Sequence, residues 1–223
     1  MKKRTLSRNV LTLALGMSLA AAGAFAAFAD PLGLSYINGQ TVTSRMGGFE
    51  FSAPAEYKVD RSGASSALSG EIVAGLVEDS GKIDFAASMV DETNKSYIIN
   101  TAMVLPADDG SGQPFSVETL KAELAESGLD PADTESGTVK LGAADYEYLK
   151  VNYGKMMADS IRRQLESGGL SEKQKAQAQT FINQMEKMLV NDFYIRNTGD
   201  QIYVLCQTYS SDQAQRAAAF LGL

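Results

Sequence analysis

Short apolar segments separated by turn-forming residues dominate this chain, and that spacing restricts it to a sheet-based fold. The longest is Tyr97 to Leu105, rich in Ile, Val, Met and Tyr, all of which pack well on a pleated surface. The turn Asp91-Glu92-Thr93-Asn94-Lys95 separates it from Ile83 to Val90, a second strand. Asp79-Ser80-Gly81-Lys82 supplies turn chemistry before that, following a compact apolar strand at Ile72 to Val77. Ser62 to Gly70 is a Gly/Ser/Ala stretch and reads as a loop, whereas Gly48 to Ala53 alternates apolar and polar until Pro54 stops it. Connections this short join antiparallel neighbours, so the central region is a meander. Residues 30–45 read as a lead-in with one strand at about Thr41 to Met46.

Helical periodicity enters after the polar loop Pro106 to Pro114. Ser116 caps a helix that runs to about Ser127, with Val117, Leu120 and Leu124 on one face and Gly128 as its stop. Thr138 to Leu141 and Asp145 to Tyr153 form a hairpin around Gly142-Ala143-Ala144. Met157, Ile161 and Leu165 then recur every four residues up to Gly168-Gly169. Ser171 and Gln174 form a capping box for a second helix, whose stripe is Ala178, Phe181, Ile182, Met185, Met188 and Leu189. Phe193 to Arg196, the turn Asn197-Thr198-Gly199-Asp200 and Ile202 to Tyr209 make a closing hairpin, and Ser210 or Ser211 caps a terminal helix. The order describes one α+β domain over 46–223, with a helical insertion at about 155–190.

The first 29 residues stand apart. Lys2, Lys3, Arg4 and Arg8 form a positive flank, an apolar run extends from Val10 to about Ala24, and Ala27 and Ala29 occupy the −3 and −1 positions before Asp30. That is the layout of a secretory signal peptide, with Ala27 and Ala29 as the residues a signal peptidase reads. No Arg-Arg pair marks the twin-arginine route, and no Cys near the cut marks a lipoprotein. The competing reading is a retained anchor, because Val10 to Ala29 is long enough to span a bilayer. Cleavage leaves 194 residues, and the net charge moves from −7 to −11, since all 27 acidic residues and only 16 of the 20 basic ones remain. Such a chain repels phosphate backbones and anionic lipids, which excludes nucleic acid and, after cleavage, a membrane as partner.

Two absences prune the chemistry further. There is no His, which removes Ser-His and Cys-His dyads and nearly every zinc or transition-metal site. Cys206 is the only Cys, so no intramolecular disulfide forms; alternation places it with Ile202 and Val204 as a buried core thiol. The chain has no Gly-x-Ser-x-Gly elbow, Ser-x-x-Lys pair or phosphate loop, and Gly110-Ser111-Gly112 continues into Gln113-Pro114 as a loop. Carboxylates cluster at Asp91-Glu92, Asp108-Asp109 and Asp130/Asp133/Glu135, yet none has the calcium-loop spacing. With no Trp to stack on sugar rings, a glycosidase is disfavoured. No metal or cofactor is expected. Tyr146 and Tyr148 share a strand face with Lys150, which makes that face a candidate binding surface if exposed and ordinary sheet packing if not.

The succession Gly48-Phe49-Glu50-Phe51-Ser52-Ala53-Pro54, a central meander, a helix, the Gly-containing hairpin at Val139 to Tyr148, and Asn197-Thr198-Gly199-Asp200-Gln201-Ile202-Tyr203-Val204 with its short helix resembles the PsbP-like superfamily. The resemblance covers most of residues 46–223 through order and pattern. It implies an antiparallel sheet between helical layers, an α/β/α sandwich. It also implies a binding or assembly role, since that superfamily includes a photosystem extrinsic subunit, a factor that binds the Ran GTPase and many exported bacterial proteins. No shared catalytic set carries over. The expectation is therefore an extracytoplasmic, non-catalytic module that binds a protein or small ligand. The alternatives are a secreted hydrolase whose carboxylates meet only in three dimensions, and a domain tethered by residues 10–29.

Overall fold

The computed structural model describes residues 35–55, 57–60, 82–91, 96–107, 115–126, 129–167, 172–188 and 190–223. The signal segment with Ala27 and Ala29, the loop Ser62 to Gly70, the strand Ile72 to Val77, the Gly110-Ser111-Gly112 loop, the helix stops Gly128 and Gly168-Gly169, and Ser171 of the capping box lie outside them.

Among the described residues ten strands form two antiparallel sheets. The smaller has the order β1-β2-β3, made of β1 (Ser35–Asn38), β2 (Thr41–Ser44) and β3 (Phe49–Ser52). The larger contains β4 (Lys58–Asp60), β5 (Lys82–Asp91), β6 (Ser96–Pro106), β7 (Thr134–Leu141), β8 (Ala144–Asn152), β9 (Val190–Asn197) and β10 (Gln201–Tyr209). Its order is β4-β5-β6-β10-β9-β8-β7. β5 and β6 of the meander and both hairpins fall where the sequence places them, so the fold is α+β with antiparallel sheets, while the turns at 79–81 and 92–95 lie outside the described residues. The lead-in strand expected at Thr41 to Met46 is β2, and the correction is a further strand, β1, whose Tyr36 and Ile37 are too little to stand out in the sequence.

The described residues also form four α-helices: α1 (Val117–Glu126), α2 (Tyr153–Ser167), α3 (Glu172–Met188) and α4 (Ala214–Phe220). Ser116 caps α1 as expected, its Oγ accepting the Thr119 N–H at 3.3 Å, while Thr119 Oγ1 accepts the Ser116 N–H at 2.8 Å. The Val117 N–H, which no helical carbonyl can reach, donates to Glu147 of β8 at 3.0 Å and fixes α1 on the sheet. Tyr153, read as the end of a strand, begins α2 instead, because Asn152 Oδ1 caps the Lys155 N–H at 2.9 Å. β8 and β9 are hydrogen-bonded neighbours, so α2 and α3 together form the connection between adjacent strands. Arg162 of α2 pairs with Asp159 and with Glu186 of α3.

Alternation along the strands divides the core. One face of the large sheet presents Leu149, Val151, Phe193, Ile195, Val204 and Cys206 to Val117, Leu120 and Leu124 of α1. The other presents Phe85, Met89, Ile98, Tyr203, Leu205 and Tyr209 to the small sheet (Val42, Phe49, Phe51) and to Ala217 and Phe220 of α4. A three-stranded sheet and a helix thus share the layer that the sandwich reading assigned to helices. On α3, Ile182 is buried but Phe181 is 54% exposed, contrary to the core-facing stripe expected for both. The hairpin α2–α3 packs chiefly on itself, so one neighbour covers only part of a wide apolar stripe.

The two sheets meet closely at the β7–β8 turn. Gly142 has φ +58°, and a Cβ there would lie 2.6 Å from the Gly48 carbonyl oxygen and 3.2 Å from Phe49 Cα. Gly142→Ala is expected to cost about 1–3 kcal/mol in urea unfolding, from backbone strain and overpacking together. Gly137→Ala on β7, where a Cβ meets nothing within 4 Å, is the control and should be neutral or slightly stabilising.

Candidate functional site

Among the described residues three carboxylates are buried on the strands of the large sheet; Asp91 pairs with Arg216 at 3.6 Å, while the other two rely on hydroxyls. The first, Asp84, sits at a β-bulge: pairing with β6 jumps from Ile83↔Met103 to Phe85↔Ala102, leaving Asp84 unmatched. The extra residue lets two consecutive side chains reach the same side. Phe85 packs against Phe49 and Phe51, while Asp84 Oδ2 accepts the hydroxyls of Ser35 (2.5 Å), Ser44 (3.1 Å) and Tyr203 (2.8 Å). Ser44 Oγ also accepts the Gly47 N–H at 2.9 Å. Gly47 is gripped again through its carbonyl, by Tyr146 Oη at 2.5 Å and by Arg196 Nη1 at 3.0 Å. Burial drives the Tyr146 and Tyr203 hydroxyls well above the ordinary tyrosine range, so both remain protonated donors.

The second, Asp192, lies on β9, 4% exposed. Three phenols donate to it: Tyr209 at 2.7 Å, Tyr148 at 3.2 Å and Tyr194 at 3.5 Å. Tyr148 and Tyr194 are cross-strand partners with ring centroids 5.3 Å apart. Burial, reinforced by the Asp192 charge, raises all three phenols, while burial raises Asp192 itself against the lowering effect of the Tyr209 hydrogen bond and the Lys150 charge. Lys150 stands opposite Asp192 in register but bonds outward, its Nζ 3.5 Å from Glu135 Oε2. On the far side Asp192 faces Gln207, which faces Asn100. The polar row Lys150, Asp192, Gln207, Asn100 therefore crosses four strands between the apolar contacts of the small sheet and those of α4.

Of the candidate face, Tyr146 is buried against the β2–β3 turn and offers no surface, whereas Tyr148 is half-buried and belongs to the Asp192 cluster. Cys206 is buried on the opposite face, its thiol pushed up to about 12 by burial, which makes it a core residue and a poor nucleophile. The acidic group Asp130/Asp133/Glu135 does not converge: Asp130 caps the Ala132 N–H, Asp133 pairs with Lys155 and Glu135 with Lys150. Among the described residues no three acidic or sulfur ligands surround a common point. Sequence reading missed Asp84 and Asp192; each is a lone acid inside a strand-length apolar run, the signal that could have marked both.

A scan against family models and a search of curated proteins find no match to this chain. Among the described residues no helix is long and apolar enough to cross a membrane.

Asp84→Ala leaves Ser35 and one member of the Ser44–Tyr203 pair without an acceptor and is expected to cost about 3 kcal/mol in chemical denaturation, with Asp84→Asn losing less. For Asp192 the sign follows from its raised native pKa. Folding disfavours the ionised form, so this group weakens the fold progressively as pH rises from the unfolded value of 3.8 through the native one. The Tm of Asp192→Asn relative to the parent should therefore climb between about pH 4 and pH 7, and parallel curves would refute the assignment.

Proposed function

We propose that this chain is an exported, non-catalytic binding or assembly module of PsbP-like architecture, secreted through a signal peptide that ends at Ala29. What supports the reading is the use to which the polar groups are put. Asp84 and Asp192 and the phenols around them spend their hydrogen bonds on one another, on serine hydroxyls and on backbone. The long antiparallel sheet, closed by a terminal hairpin and short helix, fits the superfamily pattern, and the basic flank with Ala27 and Ala29 fits export.

The test has two readouts. Protein recovered outside the producing cell should begin at Asp30 on N-terminal sequencing. The immobilised full chain should capture a partner or small ligand from medium or envelope in a manner that excess soluble protein competes away. Recovery of nothing competable from either fraction would overturn the binding reading.

A further inference from the structure

One edge of the large sheet is long and open. Among the described residues β7 has β8 as its only strand neighbour, whereas the strand at the opposite edge, β4, is three residues long. The two-residue turn Gly142-Ala143 closes on the pair Leu141↔Ala144, whose members must exchange both of their backbone hydrogen bonds. Alternation from there turns the N–H and C=O groups of Gly137, Val139 and Leu141 toward β8. It turns those of Ser136, Thr138 and Lys140 away from it. Among the described residues no backbone group bonds to these six. Ser136, Gly137 and Thr138 are exposed, and the surface of a glycine is nearly all backbone, so the row is open to solvent. Proteins usually blunt such an edge with a bulge, a proline, a very short strand or a covering element. β7 has none of these: its eight residues pair with β8 without a register shift, and none is Pro. Val139 and Leu141 pack into the core under the small sheet, which holds the edge extended.

We propose that β7 is an addition site for an extended, basic segment of a partner protein, which pairs through its own backbone with Ser136, Thr138 and Lys140. This rests on the binding-module reading and names the surface and the partner's chemistry for it. A row of alternating amides and carbonyls is complementary to another strand, so the occupant is a peptide segment and not a small molecule. Its charge follows from that of the chain, which is net −7. The β7–β8 hairpin itself exposes Glu135, Asp145 and Glu147 against one exposed lysine, Lys140. The same acidity opposes pairing of β7 with a second copy of the chain.

Amide NMR and hydrogen exchange on the full chain test the inference, with a capped heptapeptide of alternating lysine and valine as the probe. Without peptide, the amides of Ser136, Thr138 and Lys140 should exchange readily while those of Gly137, Val139 and Leu141 are protected. Protection of all six would mean that the edge is already covered and would overturn the inference. With peptide, saturable shifts and slowed exchange at Ser136, Thr138 and Lys140 are expected. The same peptide N-methylated at every residue keeps its charge but loses its donors, and should bind at least about tenfold more weakly. A glutamate–valine counterpart should not bind. Thr138→Pro removes one outward N–H, leaves the bonds to β8 in place and should weaken the lysine–valine peptide to a similar degree. The N-methylated peptide on the parent chain carries the reading if that variant fails to fold. Equal binding of the N-methylated or glutamate peptide, undiminished affinity in Thr138→Pro, or no saturable response along β7 would overturn the edge site. Competable capture of a partner from medium or envelope alongside such a result would leave the binding-module reading standing, so the two failures are distinguishable.

Discussion

A carboxylate inside a protein must be met by donors, and Asp84 meets this requirement by joining two sheets. Its acceptors take hydroxyls from β1, from the end of β2 and from β10, so four strands converge on one oxygen. Ser44 passes the constraint on to the β2–β3 turn through the Gly47 N–H, and Tyr146 and Arg196 hold the carbonyl of the same residue. The small sheet is therefore seated by polar contacts at a single turn, and the rings of Phe49, Phe51 and Phe85 fill the space those contacts define. The bulge makes this possible. Strict alternation would send Asp84 and Phe85 to opposite faces, separating the polar anchor from the apolar packing it organises.

Asp192 solves the same electrostatic problem differently. Both carboxylates rely on hydroxyl donors, but Asp84 is enclosed between the sheets, whereas Asp192 lies two strands from the β7 edge with half-buried neighbours. Burial of Asp192 is opposed by Tyr209 and by the Lys150 charge without being cancelled, which leaves its ionisation a net cost to the fold. The two differ in what they join: Asp84 ties β5 to the small sheet and to β10, whereas Asp192 ties β9 to phenols of β8 and β10.

Strand segments were legible because long runs of β-branched, aromatic and other apolar residues bounded by turn chemistry are a strong signal, as in Ser96–Pro106 and Gln201–Tyr209. The α1 cap was legible for a similar local reason: Ser116 lies next to the first apolar residue of the helix and bonds only three residues ahead. β1 was not, since a four-residue strand with so few apolar side chains carries too little pattern, although its partner β2 lies within the strand expected at Thr41 to Met46. Phe181 misled because helical periodicity reports which residues could face a core, while the width of the neighbour decides which ones do. Tyr146 and Tyr148, equivalent by alternation, have different fates because the β2–β3 turn covers one and not the other.

Sequence by itself determined the α+β class, the antiparallel pairing of local hairpins, the buried inert thiol and the exclusion of histidine chemistry. All of these depend on composition or on residues close in the chain. Only the tertiary structure decided that there are two sheets, that Asp84 joins them, and that Asp192 gathers Tyr148, Tyr194 and Tyr209. The physical reason is distance along the chain. Ser35 meets Asp84 across 49 positions and Ser44 meets Tyr203 across 159, and no local periodicity records contacts of that range.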